Sequence, residues 1–273
     1  VSTSTSANLF WMRPGRVIRL LEKMELFLYR QSAAVVSLTE SFRRNLTRRG
    51  IDPGKISVVM NGVDLPRYGP RPKDGELQKS WSLQGKFVVG YLGTLGMAHG
   101  LANVLDAAAL LRERDDIQFL LVGPGAERRA LIAEAQRRGL ANVTFADAQP
   151  KDAMPRVWSV CDVALVHLKD SPVFAEVIPS KMFEAMAMGL PLLVAAPTGE
   201  ATRIAEEDKA GLCVAAADPA ALAEAVSRLK TDDDLRNAYA ARALAAAPSH
   251  SREAQARSML DILQSVLTSP ARP

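Results

Sequence analysis

Glu176-Val-Ile-Pro179-Ser180-Lys181-Met-Phe-Glu184-Ala-Met-Ala-Met-Gly189-Leu-Pro191-Leu-Leu-Val194 is the stretch that decides how this chain is read. It runs from a loop with a carboxylate, through a Pro179-Ser180 helix start and apolar turns stopped at Gly189, into a strand from Leu192. The acids Glu176 and Glu184, seven residues between them, straddle the helix start. A helix N-terminus offers unpaired N–H groups and the positive end of a dipole, so an anion such as a phosphate suits the space before it. Carboxylates beside a phosphate repel it unless they point past it, at sugar hydroxyls that they can accept from. A Glu in a first turn is also ordinary dipole compensation, and spacing alone does not separate the two readings.

Outward from that stretch the chain alternates strand and helix. Phe87–Leu92, Ile117–Val122, Val143–Phe145, Val163–His167, the strand from Leu192 and Gly211–Val214 read as buried strands. Between them, residues 101–114, 126–138, 154–160 and 198–207 carry helical periodicity, and Asp218-Pro219 caps a further helix to Lys230. Alanine-rich helices at 235–247 and 251–267 follow. The pattern predicts an α/β fold with a Rossmann-like parallel sheet, whose ligands sit at the carboxyl ends of the strands. The loops Gly93–Gly100, Gly123–Gly125, Gln149-Pro150-Lys151 and Glu176–Glu184 all fall there.

Upstream, apolar residues at Val17, Leu20, Leu21, Met24, Phe27 and Leu28 form one stripe of a basic helix over 16–30. Such a stripe packs on a sheet or lies on a membrane surface; packing is the expectation. A strand at 33–37, a Ser37-Leu-Thr-Glu40 capping box opening a helix to Gly50, and a strand at 56–60 follow. Residues 65–85, rich in Pro and Gly, read as a connection. Strand, helix, strand is too little for a domain, so the expected organisation is a partial domain over 1–70, a Rossmann-like domain over 71–250, and a crossover helix and tail over 251–273.

The 273 residues are 48% hydrophobic and 23% charged, enough for a sizeable core, with a net charge of +4. That charge suits phosphorylated ligands or an anionic membrane surface and does not point to nucleic acid. Cys161 and Cys213 sit apart in apolar runs and read as buried thiols; His99, His167 and His250 form no cluster with them, so no metal is expected. No apolar run is long enough to span a bilayer and no signal-peptide layout is visible, so a cytoplasmic location is expected.

Taken together, the paired acids, the Glu184-Ala-Met-Ala-Met-Gly-Leu-Pro191 tail, Leu121-Val-Gly-Pro-Gly125 and Asn61-Gly-Val-Asp64 resemble the retaining GT-B glycosyltransferases of family four, also called glycosyl transferases group one. The variant Ile178-Pro-Ser-Lys-Met-Phe-Glu184 with Gly93-Thr-Leu-Gly96-Met-Ala-His99-Gly100 resembles the bacterial surface-polysaccharide branch. The resemblance implies a GT-B C-terminal donor domain with a remnant of the N-terminal, acceptor-side domain. It implies that Glu184 binds the ribose and Glu176 the donor sugar, with Val177, Ile178, Pro179, Ser180 and Lys181 near the sugar and diphosphate. Gly93, Thr94 and Gly96 would lie against the diphosphate, and Gly123, Gly125, Gln149, Pro150 and Lys151 would border the base. The donor would be a nucleotide-sugar, by analogy a UDP-sugar, and the acceptor a saccharide or lipid-linked glycan. Such enzymes commonly need no metal or cofactor.

Two departures stand out. Where many relatives have Arg and Lys in Gly-Arg-Leu-x-x-x-Lys-Gly, this chain has Thr94 and His99, which leaves His99 and Lys181 as candidates to neutralise the leaving diphosphate. Their plainer readings are a helix-start histidine bonded to backbone and a solvated lysine. The acceptor-side domain is also incomplete, which predicts donor binding with poor transfer by this chain alone. A noncatalytic nucleotide-binding module and a GT-B-like nucleotide-sugar epimerase stay open as alternatives; an oxidoreductase is disfavoured because the dinucleotide fingerprint is incomplete.

Overall fold

A computed structural model describes residues 15–268. The chain divides into two compact units, one spanning Asn61–Gln255 and the other made of the described residues up to Met60 together with those from Ala256.

The second unit in chain order, Asn61–Gln255, is built on six parallel strands: β3 (Phe87–Leu92), β4 (Ile117–Val122), β5 (Val143–Ala146), β6 (Val163–His167), β7 (Leu192–Ala195) and β8 (Gly211–Val214). They lie in the order β5-β4-β3-β6-β7-β8. In order of appearance this is 3-2-1-4-5-6, the doubly wound arrangement whose strand order reverses between its first and fourth strands. Interleaved are α3 (Gly75–Ser80), α4 (Ala102–Leu110), α5 (Arg128–Arg137), α6 (Met154–Ser159), α7 (Lys181–Ala187), α8 (Glu200–Glu207), α9 (Pro219–Thr231) and α10 (Asp233–Ala246). Every residue of β3, β4, β6 and β7 is buried, because helices cover both faces.

Alternate strand residues Phe87, Val89, Tyr91, Ile117, Phe119 and Leu121 join Leu101, Val104 and Leu105 of the α4 region and Leu222, Val226 and Leu229 of α9 in one core cluster. Burying each such side chain stabilises the fold by about 1.5–3 kcal/mol. Gln118, the one polar residue inside β4, satisfies its buried amide by donating to Ala141 O at 3.1 Å and Thr144 Oγ1 at 3.0 Å. The helix starts follow their side chains: Asp218 accepts from Ala221 N with Pro219 in the first turn, and Asp232 accepts from Leu235 N. Near its ends the unit closes on itself. Val63 forms a parallel bridge with Ser251, through Val63 N–H to His250 O at 2.9 Å and Arg252 N–H to Val63 O at 2.8 Å.

The other unit holds α1 (Arg16–Gln31), β1 (Val35–Ser37), α2 (Glu40–Arg48) and β2 (Ile56–Val58), with β1 and β2 parallel. Helix α11 (Arg252–Thr268) begins in the first-described unit and ends in this one. A small cluster of Val35, Leu46, Ile51 and Ile56 forms its core, with Leu26 and Tyr29 of α1 packed against it.

Three expectations need correction. The stripe of α1 does not pack: Val17, Leu20, Leu21, Met24, Phe27 and Leu28 are all more than half exposed, and the helix meets the core through Leu26 and Tyr29 instead. The cap of α2 is Thr39, whose hydroxyl accepts from Phe42 N, while Ser37 ends β1 and donates to the Thr39 carbonyl. The Pro- and Gly-rich connection 65–85 contains α3, because Asp74 caps it by accepting from Leu77 N at 3.0 Å. Residues 1–14, whose Ser/Thr-rich sequence reads as a loose segment, lie outside the described residues.

Candidate functional site

The reversal of strand order places a crevice at the carboxyl ends of β3 and β6. Pairing between these strands covers Val89 with Val163 and Gly90 with Ala164 and then stops, so Tyr91 and Leu92 run on unpaired to β6.

One wall is the loop Gly93–Gly100 after β3. Gly93 N donates to Val122 O at 2.9 Å, Leu95 N to Pro124 O at 2.7 Å, and Glu127 N to Leu95 O at 3.0 Å. This close approach is why β4 ends in glycines: a methyl on Gly123 would meet Gly93 O at 2.1 Å, and one on Gly125 would meet Leu95 O at 2.0 Å. Across the strand ends, Lys169 N donates to Ala98 O at 2.9 Å, and two histidines interlock. His167 donates from Nδ1 to His99 O at 2.6 Å, while His99 Nδ1 faces His167 O at 3.3 Å. Asn103 Nδ2 lies 2.9 Å from His167 Nε2, which assigns Nδ1 as the protonated nitrogen of His167. Burial holds the pKa of His167 down at about 4. Burial first, then the Lys181 charge, lowers that of His99 against the opposing pull of the His167 carbonyl. Both rings are therefore neutral at pH 7.

The other wall is the connection from β6 to α7. A 3-10 turn, Pro172–Glu176, packs closely on Gly199 before α8, where a methyl would meet Ala175 O at 2.0 Å. Among the described residues the Glu176 carboxylate makes no hydrogen bond or ion pair. Ser180 precedes α7 without capping it through its side chain. Lys181, the first residue of α7, buries its Nζ, which among the described residues meets no hydrogen-bond acceptor. Its ammonium lies 3.3 Å from the centroid of the Tyr91 ring. A methyl on Gly93 would stand 3.6 Å from it, so Gly93 forms its cover toward the loop. Burial pushes the lysine well below its ordinary range, and only Glu184, one turn along, pulls it back.

Glu184 lies beside two aromatic donors. Trp158 Nε1–H donates to its Oε2 at 3.2 Å. Among the described residues the buried Tyr68 hydroxyl closes no hydrogen bond within 3.5 Å, yet it lies near enough to Glu184 that burial, then the Glu184 charge, raises its pKa.

The chain matches the family model described as glycosyl transferases group 1 over residues 73–245. The chain belongs to this family. It is 31% identical over 179 residues to WcaI of Escherichia coli (strain K12), a protein named as a glycosyl transferase of colanic acid biosynthesis, covering 64% of this chain and 43% of that one. It is 28% identical over 265 residues to the D-inositol 3-phosphate glycosyltransferase of Corynebacterium urealyticum, covering 92% and 59%. This chain thus spans about half the length of the curated relatives it matches. The GT-B fold is shared with the crystal structure of Anabaena HepE in complex with UDP, at a TM-score of 0.80 and 21% identity over 93% of this chain and 70% of that one.

In this member of the glycosyl transferases group 1 family, the two segments singled out for the diphosphate and the sugar face each other at the switch point. Gly93, Thr94, Gly96 and His99 lie on one side, and Glu176, Val177, Ile178, Pro179, Ser180, Lys181 and Glu184 on the other. Gly123 and Gly125 are one strand away, and their open faces are filled by the neighbouring loop's carbonyls. Gln149, Pro150 and Lys151 follow β5, the edge strand, and are the furthest in sheet order. Lys181 is not the solvated side chain of its plainer reading, whereas His99 does bond to backbone. Sequence reasoning passed over Tyr91, His167, Tyr68 and Trp158. The first two were findable, since Tyr91 is the penultimate residue of β3 and His167 the last of β6, the strands flanking the switch point. Tyr68 and Trp158 carry no such signal, because only folding brings them to Glu184. Among the described residues no cluster of His, Cys, Asp and Glu could hold a metal, and no helix is long and apolar enough to cross a membrane.

Proposed function

We propose that the crevice between β3 and β6 binds a nucleotide-diphosphate sugar, and that this chain supplies the donor side of a retaining glycosyl transfer. The observation that carries the proposal is the buried Lys181 ammonium, which among the described residues meets no hydrogen-bond acceptor and has only Glu184, one turn along, to favour its charge. Burying an unpaired charge costs several kcal/mol, and a diphosphate lying over Gly93 would relieve that cost. The same cation compensates for the Arg and Lys replaced here by Thr94 and His99, because His99 is neutral in the free crevice.

On this reading Lys181 stabilises charge that develops on the leaving diphosphate. Glu176, with uncommitted oxygens, accepts from donor-sugar hydroxyls, and Glu184, steadied by Trp158, accepts from the ribose. Retention follows if the departing diphosphate takes the acceptor's proton on the face it leaves. The donor is a UDP-sugar, as the UDP held by Anabaena HepE supports. The acceptor is a growing surface polysaccharide, lipopolysaccharide or lipid-linked glycan, a reading supported by the likeness to WcaI. No metal or cofactor takes part. Calorimetric titration with UDP, GDP and the corresponding nucleosides tests the donor site: a diphosphate preference of at least tenfold is expected. Equal binding of uridine and UDP would remove the basis of the proposal.

A further inference from the structure

Tyr91 touches both walls of the crevice and has no part in the reading so far. It is wholly buried, one residue past the point where β3 and β6 stop pairing. A leucine would bury as well there, so burial does not explain a phenol. Three contacts use what leucine lacks. The ring carries the Lys181 ammonium 3.3 Å from its centroid. The hydroxyl donates to the Thr94 carbonyl at 2.9 Å, inside the glycine-rich loop. The His99 ring meets it edge to face, with centroids 5.7 Å apart and planes at 65°. Thr94 and His99 belong to the loop after β3, Lys181 to the helix after β6.

We infer that Tyr91 is a positioning residue for diphosphate recognition: its ring seats the Lys181 ammonium and its hydroxyl sets the loop, so that cation and loop backbone meet a diphosphate in fixed register. The inference rests on the reading of the crevice as a nucleotide-diphosphate site. A buried ammonium without a hydrogen-bond acceptor keeps its place only where something favours the charged form, and an aromatic face does so. Burial raises the pKa of the phenol itself, so the hydroxyl remains a donor through neutral pH. Without the ring, the lysine would lose its proton or turn toward solvent, and either change removes the charge from beneath Gly93.

The test is the ratio of nucleoside to nucleoside diphosphate dissociation constants, read by calorimetry with UDP and uridine, or GDP and guanosine if these bind tighter. A purely structural role would lower Tm or weaken both ligands without moving the ratio. In Tyr91→Leu the ratio should fall by about tenfold or more. In Tyr91→Phe, which keeps the ring and loses the loop tether, it should stay within about threefold of wild type. The double variant Lys181→Met/Tyr91→Leu, with cation and ring both gone, should match Lys181→Met alone, and it serves if Tyr91→Leu does not fold. A wild-type ratio in Tyr91→Leu, or a double variant well below Lys181→Met, overturns the inference and leaves the donor site standing. A wild type that does not prefer the diphosphate overturns both.

Discussion

The two walls of the crevice treat their polar groups in opposite ways. Between Gly93 and Gly100 nearly every group is spent on the protein: backbone bonds to the β4 loop, a phenol on Thr94, and a reciprocal pair of histidines. Between Glu176 and Glu184, among the described residues, the buried Lys181 ammonium meets no hydrogen-bond acceptor and the half-exposed Glu176 carboxylate has no protein partner. Polar groups that satisfy one another build a rigid wall; groups left unsatisfied cost stability and wait for a ligand. On the proposed reading of the crevice, the division of labour is a scaffold on one side and recognition on the other.

Substitutions should therefore have opposite signatures on the two sides. The largest effect is expected from Gly125→Ala, whose methyl would lie 2.0 Å from the Leu95 carbonyl oxygen. Denaturant unfolding should show a loss of at least ~3 kcal/mol, near the upper end for overpacking because the obstacle is backbone. A loss under ~1 kcal/mol would mean the scaffold wall is soft. On the recognition wall, Lys181→Met should cost about a hundredfold in nucleoside diphosphate affinity, ~2.7 kcal/mol, while raising thermal stability by removing a buried charge. If both affinity and stability fall, Lys181 belongs to the scaffold.

Above the pKa that burial gives the lysine in the free crevice, binding to wild type should also take up a proton, because the ligand favours the ammonium that burial disfavours. Affinity then weakens as pH rises between the free and bound pKa of Lys181, by at most about tenfold per pH unit. Calorimetry in buffers of different ionisation enthalpy reads this directly, and no uptake in wild type would count against it. Fold stability runs the other way. The unfolded lysine still holds its proton where the folded one does not, so this residue's contribution to stability rises with pH over that window.

The histidine pair gives a smaller effect on the scaffold side. His167 has a folded pKa of about 4 against about 6.5 unfolded, so the unfolded state takes up protons first as the solution is acidified. Its stabilising contribution is complete above pH 6.5 and should fall by roughly 2 kcal/mol by pH 4.5. His167→Gln should lose less over that range in urea unfolding; an identical loss would place the acid sensitivity elsewhere. Smallest is Glu176→Ala, expected to leave stability and UDP affinity within about twofold while cutting the preference for a UDP-sugar over UDP by about three- to tenfold. An unchanged preference would detach Glu176 from the sugar.

The sequence announced the rigid side more clearly than the responsive one. Strand positions were legible because runs such as Phe87–Leu92 and Ile117–Val122 are apolar throughout and end in glycine, and the carboxyl-end rule then located the loops. The acid pair was legible as spacing. What the seating of Lys181 depends on was not, since Tyr91 is 90 residues away in sequence and reads as one more strand aromatic. Glu184 is likewise steadied by Trp158 and faced by Tyr68, neighbours that only the folded chain creates. The misjudged stripe of α1 has a similar origin: periodicity says which residues share a face, and nothing about whether a partner covers it.

The bridge between Val63 and Ser251 has a practical corollary. The entry and exit segments of the Asn61–Gln255 unit run side by side, so the unit is a cassette with both junctions at one place. Splicing residue 61 to 255 through a short Gly-Ser linker and reopening the chain at the exposed Gly139 should return a protein that melts cooperatively. It should keep the parent's nucleotide affinity, and a permutant that fails to fold would show that the module draws stability from outside its own borders.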